Sequence, residues 1–457
     1  PASAKAKTVT FSCIGMETVS VLMTQIAAGE TIVMKEDLTL LDDVIVTGYQ
    51  TISKERATGS FGSVRSEQLE KKLNVDLKNI LEGQVAGVVL DKDGNISIRG
   101  ISTWKAETAP LIVVDGYPTE ITLSDLNPDN IENVTVLKDG VAASIYGSRS
   151  ANGVIVVETK RPEAGRMKVT YNGSMNIEMP DLTSYDLCDS SEKLQAEKMA
   201  GIYYSDNAKT QLSLEKLYQN KLNEVLAGVN TDWTAQPTRT GVGQKHALYL
   251  EGGDKYMLYG VDLSYNNIQG VMKGSYRNTF QGGVTLSYRI KNFQFRNKLS
   301  ITYNEANDSP YGDFYTYTIM NPYSRLYDEK GHLVQSYEYE TGGSTTANPL
   351  WNSTINTVYL SKYTDITNNF YVEWNLLENL KLTGRLGLTK KTTSIDDFKP
   401  ASHTDFVDYS GKDLYLKGSY MKSEGDNFNI NGDMGVSYSL QLKKHLIFFN
   451  GQLNFTN

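Results

Sequence analysis

From residue 168 onward the chain alternates with a period of two, and this constrains its fold more than any other feature. Over 276–289 the even positions are Tyr276, Asn278, Phe280, Gly282, Val284, Leu286 and Tyr288. The odd positions are Arg277, Thr279, Gln281, Gly283, Thr285, Ser287 and Arg289. A strand turns successive side chains to opposite faces, so this segment carries one largely apolar face and one polar face. Phe293, Phe295, Leu299, Ile301 and Tyr303 repeat the pattern. So do Leu380, Leu382, Leu386 and Leu388, and then Phe428, Ile430, Met434, Val436, Tyr438 and Leu440. Weaker alternation at 168–178, 245–252, 256–266, 362–377 and 446–456 brings the expectation to about nine strands.

The connections alternate as well. Short turns at 253–255, 291–292, 378–379 and 443–444 separate long loops at 179–244, 267–275, 307–361 and 394–424. Short turns at one end and long loops at the other are the signature of an outer-membrane β-barrel. A soluble β-sandwich gives similar alternation but has no reason to sort its loops this way. The 29 Tyr, 38 Gly and only 11 Pro suit strands with one polar and one apolar face. No stretch approaches 18 consecutive apolar residues, so no transmembrane helix is expected, a test blind to barrels.

Several functions are excluded by charge and motif. Forty-five Lys and Arg against 53 Asp and Glu leave a net charge of −8. Without a Lys/Arg block the chain lacks the basic surface that nucleic acid demands. Two cysteines, Cys13 and Cys188, cannot make a disulfide scaffold or a thiolate cluster. No phosphate-binding glycine loop, zinc-protease helix or nucleophile elbow is present. His246, His332, His403 and His445 lie in separate segments, and the pairs Asp396–Asp397 and Glu338/Glu340 sit in polar loops. No enzyme, metal or cofactor is expected.

Ahead of the alternating region the pattern is different. Residues 1–41 read as the end of a small β domain, with β-rich runs at 8–14 and 31–35, too short to bury a core. The chain opens on Pro1, from which a lost start is expected. Residues 42–49 form a β-branched run with no obvious hairpin partner, followed by a polar linker to 56. Residues 57–165 read as one α+β unit. Asn74 is placed to cap a helix carrying Leu77, Ile80 and Leu81 and closed by Gly83. Strands are expected at 85–90, 96–99, 111–114, 134–137 and 154–159. A turn is expected at 115–118, a helix start at Asn127-Pro128, and a short helix at 142–146.

This unit carries a family resemblance. Ser97-Ile98-Arg99-Gly100, then Leu111-Ile112-Val113-Val114-Asp115-Gly116-Tyr117-Pro118, then the run from Val136 through Lys138, Asp139, Tyr146, Gly147, Arg149, Asn152 and Gly153 to Ile155 follow in order. They resemble the plug of the SusC/RagA family of TonB-linked outer-membrane transporters. The resemblance implies a fold: an α+β plug domain (57–165) followed by an antiparallel transmembrane β-barrel (166–457), with about 9 of about 22 strands present. It further implies that 1–41 ends a carboxypeptidase-regulatory-like domain. Within 42–56, Asp42, Asp43, Val44, Ile45, Val46, Thr47, Gly48 and Tyr49 would form the TonB box. On that reading the chain is an N-terminal fragment, with about 13 strands outside it.

The implied function is energised uptake without covalent chemistry. A bulky nutrient, an oligosaccharide or else a peptide, is captured with a SusD-like surface lipoprotein. TonB, driven by the ExbB/ExbD complex, then pulls on the box, which pairs by β-augmentation. The N-terminus would be periplasmic and the barrel surrounded by outer-membrane lipid. A siderophore or cobalamin receptor and a soluble β-sandwich binding protein remain as alternatives. Arg99 and Arg149 are candidates to tie the plug to carboxylates such as Asp262, Glu373 or Asp433, or else are solvated surface residues. Tyr311, Tyr315, Tyr317 and Trp351 head an aromatic loop suited either to stacking on a ligand or to packing its own core.

Overall fold

The computed structural model describes residues 8–11, 19–22, 44–46, 51–53, 60–70, 77–91, 94–98, 100, 109–119, 121–139, 146, 149–338, 345–377, 379–442 and 445–456. The chain divides into two units, 1–160 and 161–457.

In the first unit, β1 (Thr8–Phe11) pairs with β2 (Val19–Leu22). The run 31–35 lies outside the described residues. The short strand β3 (Val44–Val46) does have a hairpin partner, contrary to expectation: Val44, Ile45 and Val46 face Ser53, Ile52 and Thr51 of β4 (Thr51–Ser53). Thr51 and Ile52 are β-branched and supply the same strand preference as β3, a signal hidden within an otherwise polar stretch.

β5 (Phe61–Arg65) and the one-turn helix α1 (Ser66–Glu70) open the compact part. α2 (Leu77–Leu81) buries Leu77, Ile80 and Leu81 completely and ends at Gly83, whose φ is +76°. Asn74 lies outside the described residues. β6 (Val88–Leu90) and β7 (Ile96–Ile98) form a small hairpin. β8 (Leu111–Val114), β9 (Tyr117–Thr119), β10 (Ile131–Leu137) and β11 (Val154–Thr159) complete a sheet in the order β5-β10-β11-β8-β9. β8 and β11 run parallel, and the other pairs are antiparallel.

Alternate residues of the central strands feed two cores. Val134, Val136, Ile155 and Val157 join α2 on one side, and Val113, Val154, Val156 and Tyr146 pack on the other. A strand covered on both faces reads as an unbroken apolar run, which is why 111–114 and 154–157 were legible. Asn127-Pro128 starts only a single 3-10 turn. Asn127 caps the backbone N–H of Asp129, but Ile131 already begins β10.

The second unit is one antiparallel sheet of nine strands. β12 (Gly165–Glu178) leads through α3 (Ser190–Met199) and α4 (Ala208–Leu226) to β13 (Gly241–Gly253). β14 (Met257–Gln269), β15 (Tyr276–Ile290) and β16 (Phe293–Asn307) follow. After α5 (Phe314–Thr318) and a small hairpin of β17 (Ser336–Glu338) with β18 (Thr345–Ala347), the sheet resumes. Its last four strands are β19 (Val358–Leu377), β20 (Leu380–Lys399), β21 (Ser419–Leu442) and β22 (His445–Thr456). The order β12-β13-β14-β15-β16-β19-β20-β21-β22 is a pure meander, not two packed sheets. A soluble sandwich is therefore excluded for these strands.

Two strands run well past their expected ends. β20 and β21 reach 20 and 24 residues and take in 394–399 and 419–424, the two ends of what reads as a loop at 394–424. Their added ends carry polar residues on both faces. Lys390, Thr392, Ser394 and Asp396 continue the face occupied nearer the turn by Leu382, Leu386 and Leu388. Beyond an apolar band neither face need be apolar, so the period-two signal vanishes while the ladder continues.

Candidate transport site

The sheet is coated in reverse. On its apolar face Phe280, Leu286, Tyr288, Met434 and Phe455 are 36% exposed or more. On the opposite face Lys245, Glu251, Thr285, Ser287, Asn304, Asp365 and Asp433 are all buried. The apolar face forms a band about ten residues tall along each strand. At a strand tilt near 45° that spans about 25 Å, the hydrocarbon thickness a barrel must present.

The polar face is organised by charge. Arg296, Tyr371, Arg385 and Asp433 lie directly opposite one another on β16, β19, β20 and β21. The guanidinium carbons of Arg296 and Arg385 stand 4.9 and 5.9 Å from the centre of the Tyr371 ring, one from each side. Tyr371 donates its hydroxyl to Glu373 at 2.7 Å, Lys381 pairs with Glu373 at 3.8 Å, and Arg385 pairs with Asp433 at 4.0 Å. Asp262 of β14 faces Gly283, where a side chain would press on its carboxylate. Glu373 and Asp433 thus have partners on the wall itself.

The plug-motif residues build the first unit's own fold. Asp115 and Gly116 form a two-residue hairpin turn between β8 and β9, with φ of 53° and 89°. Positive φ at both positions is the demand that selects Asp-Gly. The Asp115 carboxylate accepts from the Thr159 backbone N–H at 2.9 Å and its hydroxyl at 2.7 Å, fixing the end of β11. Lys138 donates to the Ala86 carbonyl at 2.9 Å, Asn152 to that of Ala109 at 3.4 Å, and Tyr146 is buried. Gly153 has φ +89°, and a Cβ there would meet Ile98 at 2.8 Å and the Leu137 carbonyl at 3.2 Å. Gly100 has φ +85° and open space, Asp139 is half-buried, and Arg149 is exposed. Arg99, Gly147, the helix at 142–145 and Asp42, Asp43, Thr47, Gly48 and Tyr49 lie outside the described residues.

The long connections are ordered and tied together. α3 opens with a capping box: Asp189 accepts from the Glu192 N–H at 2.8 Å, and Glu192 accepts from the Asp189 N–H at 3.0 Å. α4 is capped by Asn207. Between the helices lies a buried charge. Glu197 accepts hydrogen bonds from Tyr203 and Tyr323, the latter at 2.9 Å, with Lys193 at 3.4 Å and Lys221 at 3.6 Å. Lys221 also stands 5.2 Å from the centres of both tyrosine rings. Burial pushes the Glu197 carboxyl up, but the Tyr203 bond, the Lys221 charge and the Tyr323 bond outweigh it and hold Glu197 below its ordinary value. Burial and the neighbouring carboxylate push both phenols upward.

Tyr323 belongs to the next long loop, so this network joins 179–240 to 308–357. Trp233 adds a bond to the Asn321 carbonyl at 2.9 Å, and Thr231 adds one to the Ser324 carbonyl at 2.8 Å. Trp351 donates to the Ser402 carbonyl at 2.9 Å, drawing in the loop after β20. Within this assembly Tyr317 is fully buried with Trp233 and Leu350, and its hydroxyl meets the Tyr311 carbonyl at 2.8 Å. Tyr311 and Trp351 are half-buried, while Tyr315 is 65% and Tyr327 57% exposed. Trp233, Glu197 and Lys221 were not anticipated. The Asp189-x-x-Glu192 capping box was their one legible signal.

The model of the TonB-dependent Receptor Plug Domain matches residues 53–154. TonB-dependent receptor SusC of Bacteroides thetaiotaomicron is 34% identical over 278 residues, which cover 57% of this chain and 26% of that protein. TonB-dependent receptor P39 of Formosa agariphila is 25% identical over 428 residues, 88% of this chain and 39% of its own length. The chain thus spans between about a quarter and two fifths of these relatives. The RagAB peptide transporter superposes with a TM-score of 0.69 at 20% identity, covering 87% of this chain and 49% of that chain. The ferric citrate transporter FecA gives 0.54 at 12% identity, covering 88% of this chain and 47% of that chain. These two structures share the fold. In its plug region and over the 278 residues it shares with SusC the chain is similar to TonB-dependent receptors of the SusC type, and its fold is the one seen in the RagAB transporter.

Proposed function

We propose that this chain serves energised uptake of an oligosaccharide across the outer membrane of a Gram-negative bacterium, with a SusD-like lipoprotein as its surface partner. The carrying observation is a plug followed by a sheet whose apolar face is exposed and whose polar face is buried. Such a sheet is stable only with hydrocarbon outside and a polar lumen within. Similarity to SusC at 34% identity favours this reading over a siderophore or cobalamin receptor.

Residues 42–49 are proposed as the site that TonB grips, with the N-terminus in the periplasm. The β3–β4 hairpin has three residue pairs, and a two-stranded ribbon that short is marginal in water. β3 can therefore exchange β4 for a strand of TonB at little cost. The exposed rings of Tyr315 and Tyr327, close to polar loop groups, support a sugar ligand.

Uptake of labelled oligosaccharides by cells carrying the full-length protein tests the proposal. The Val46→Pro variant is expected to abolish uptake without loss of the folded barrel, because proline cannot donate to the augmenting ladder. Normal uptake in that variant would refute the TonB site. Binding of peptides with no binding of oligosaccharides would refute the substrate class.

A further inference from the structure

The apolar face of the first strands of the sheet contains a recess of about 580 Å³. Two cross-strand rows shape it. One row carries His246, Tyr265, Phe280 and Tyr303, and its neighbour carries Leu248, Leu263, Gly282 and Ile301. The rings form a continuous rim, with Tyr265 and Phe280 centred 4.6 Å apart and Phe280 and Tyr303 6.4 Å apart. Gly282 breaks the second row and leaves a notch one side chain deep between Leu263 and Ile301. A Cβ at Gly282 would make only ordinary contacts, with Leu263 at 3.4 Å and the Asp262 carbonyl at 3.9 Å. One polar pair stands at the edge, where the Tyr171 hydroxyl and His246 Nδ1 lie 2.7 Å apart.

We infer that this recess seats an acyl chain of an outer-leaflet lipopolysaccharide, with its polar end toward Tyr171 and His246. The inference rests on the membrane-barrel reading above. The recess opens on the apolar band, so its occupant comes from the hydrocarbon. A peptide segment there would leave backbone N–H and C=O groups unsatisfied, whereas an acyl chain has none. The rim lies toward the long-loop ends of β13–β16, the end that faces outward in such barrels. Aromatic rings with a polar tip suit that boundary, where chain meets headgroup.

Native mass spectrometry of the full-length transporter, released from its outer membrane in mild detergent, tests this. The unaltered protein is expected to keep one lipid after the others are stripped. Gly282→Leu and, independently, Ile301→Phe fill the recess and should lower that occupancy at least about fivefold, as expected for losing a few buried methylenes. Gly384→Leu, on the same face with nothing within 4 Å, should retain it. Delipidated protein should regain the lipid from lipopolysaccharide and not from phosphatidylethanolamine. Equal retention in the filled variants, or rebinding of the phospholipid alone, would overturn the inference. A protein that stays in buffer without detergent would instead overturn the barrel reading.

Discussion

The plug sheet and the long sheet are built from the same strand-forming residues, yet they bury opposite things. In the plug, Val113, Val134 and Val154–Val157 are within 1% of complete burial on both faces. In the long sheet, Val284 and Leu286 are 39% and 40% exposed while their neighbours Thr285 and Ser287 are buried. The plug excludes water from an apolar interior, and burial supplies its stability. The long sheet gains nothing from burying its valines. It requires a solvent that prefers them exposed, and it spends its pairing chemistry on the inward face, as with Arg385 and Asp433.

Substitutions of similar chemistry should therefore separate the two regions. The largest effect is expected for Val156→Asp, which buries an unpaired carboxylate in the plug. It should cost about 4 kcal/mol or more and unfold that unit alone. Rapid proteolysis of the plug with a barrel that still resists heat in detergent would show it, and an intact plug would break the comparison. Glu197→Leu comes next. It leaves Lys221 buried without its carboxylate, at a cost of roughly 3–5 kcal/mol. Faster hydrogen exchange across 190–226 in the full-length protein is the readout.

The same group sets a pH dependence. Glu197 titrates lower in the folded loops than in the unfolded chain, so its stabilisation is complete above the unfolded value. It is lost as pH falls through the folded value. Protection of 190–226 should therefore weaken on acidification in the unaltered protein and not in Glu197→Leu.

Val284→Arg places a charge in the middle of the apolar band and should cost about 2–4 kcal/mol, read as a lower unfolding midpoint in lipid. Thr392→Arg lies on the same face but on the protruding end of β20, and it should fall within about 0.5 kcal/mol of the parent. Equal penalties at both positions would place the band's edge wrongly.

This gradient also explains what was legible in the sequence. Alternation at 276–289 and 293–303 marks where a strand separates two solvents, and there the expected and observed strands agree closely. Where β20 and β21 pass into water on both sides, alternation stops and about ten residues of β20 were missed. The plug's central strands were legible as apolar runs because both faces are covered. Phe61–Arg65 was not, since only Val64 of its five residues is buried. The aromatic loop was legible as a cluster but not in its detail. Nothing in composition separates Tyr317, wholly buried, from Tyr315, largely exposed two residues earlier. That difference is set by Trp233 and Leu350, which come from distant parts of the chain.

The meander order has a kinetic consequence. Every strand of the long sheet pairs with the next sheet strand along the chain. Four of these eight steps, β13 to β14, β15 to β16, β19 to β20 and β21 to β22, are short turns, whereas β12 to β13 crosses α3 and α4, and β16 to β19 and β20 to β21 cross long loops. Closing the short turns costs little entropy, so the sheet can lengthen by adding hairpins to a growing edge. The plug has no such route. β8 must wait for β11, about 40 residues later, to supply its parallel neighbour, so its nucleus forms only when distant segments meet. Should unfolding and refolding be followed in both units, the plug is where the slow step belongs, and the wall can be assembled one turn at a time.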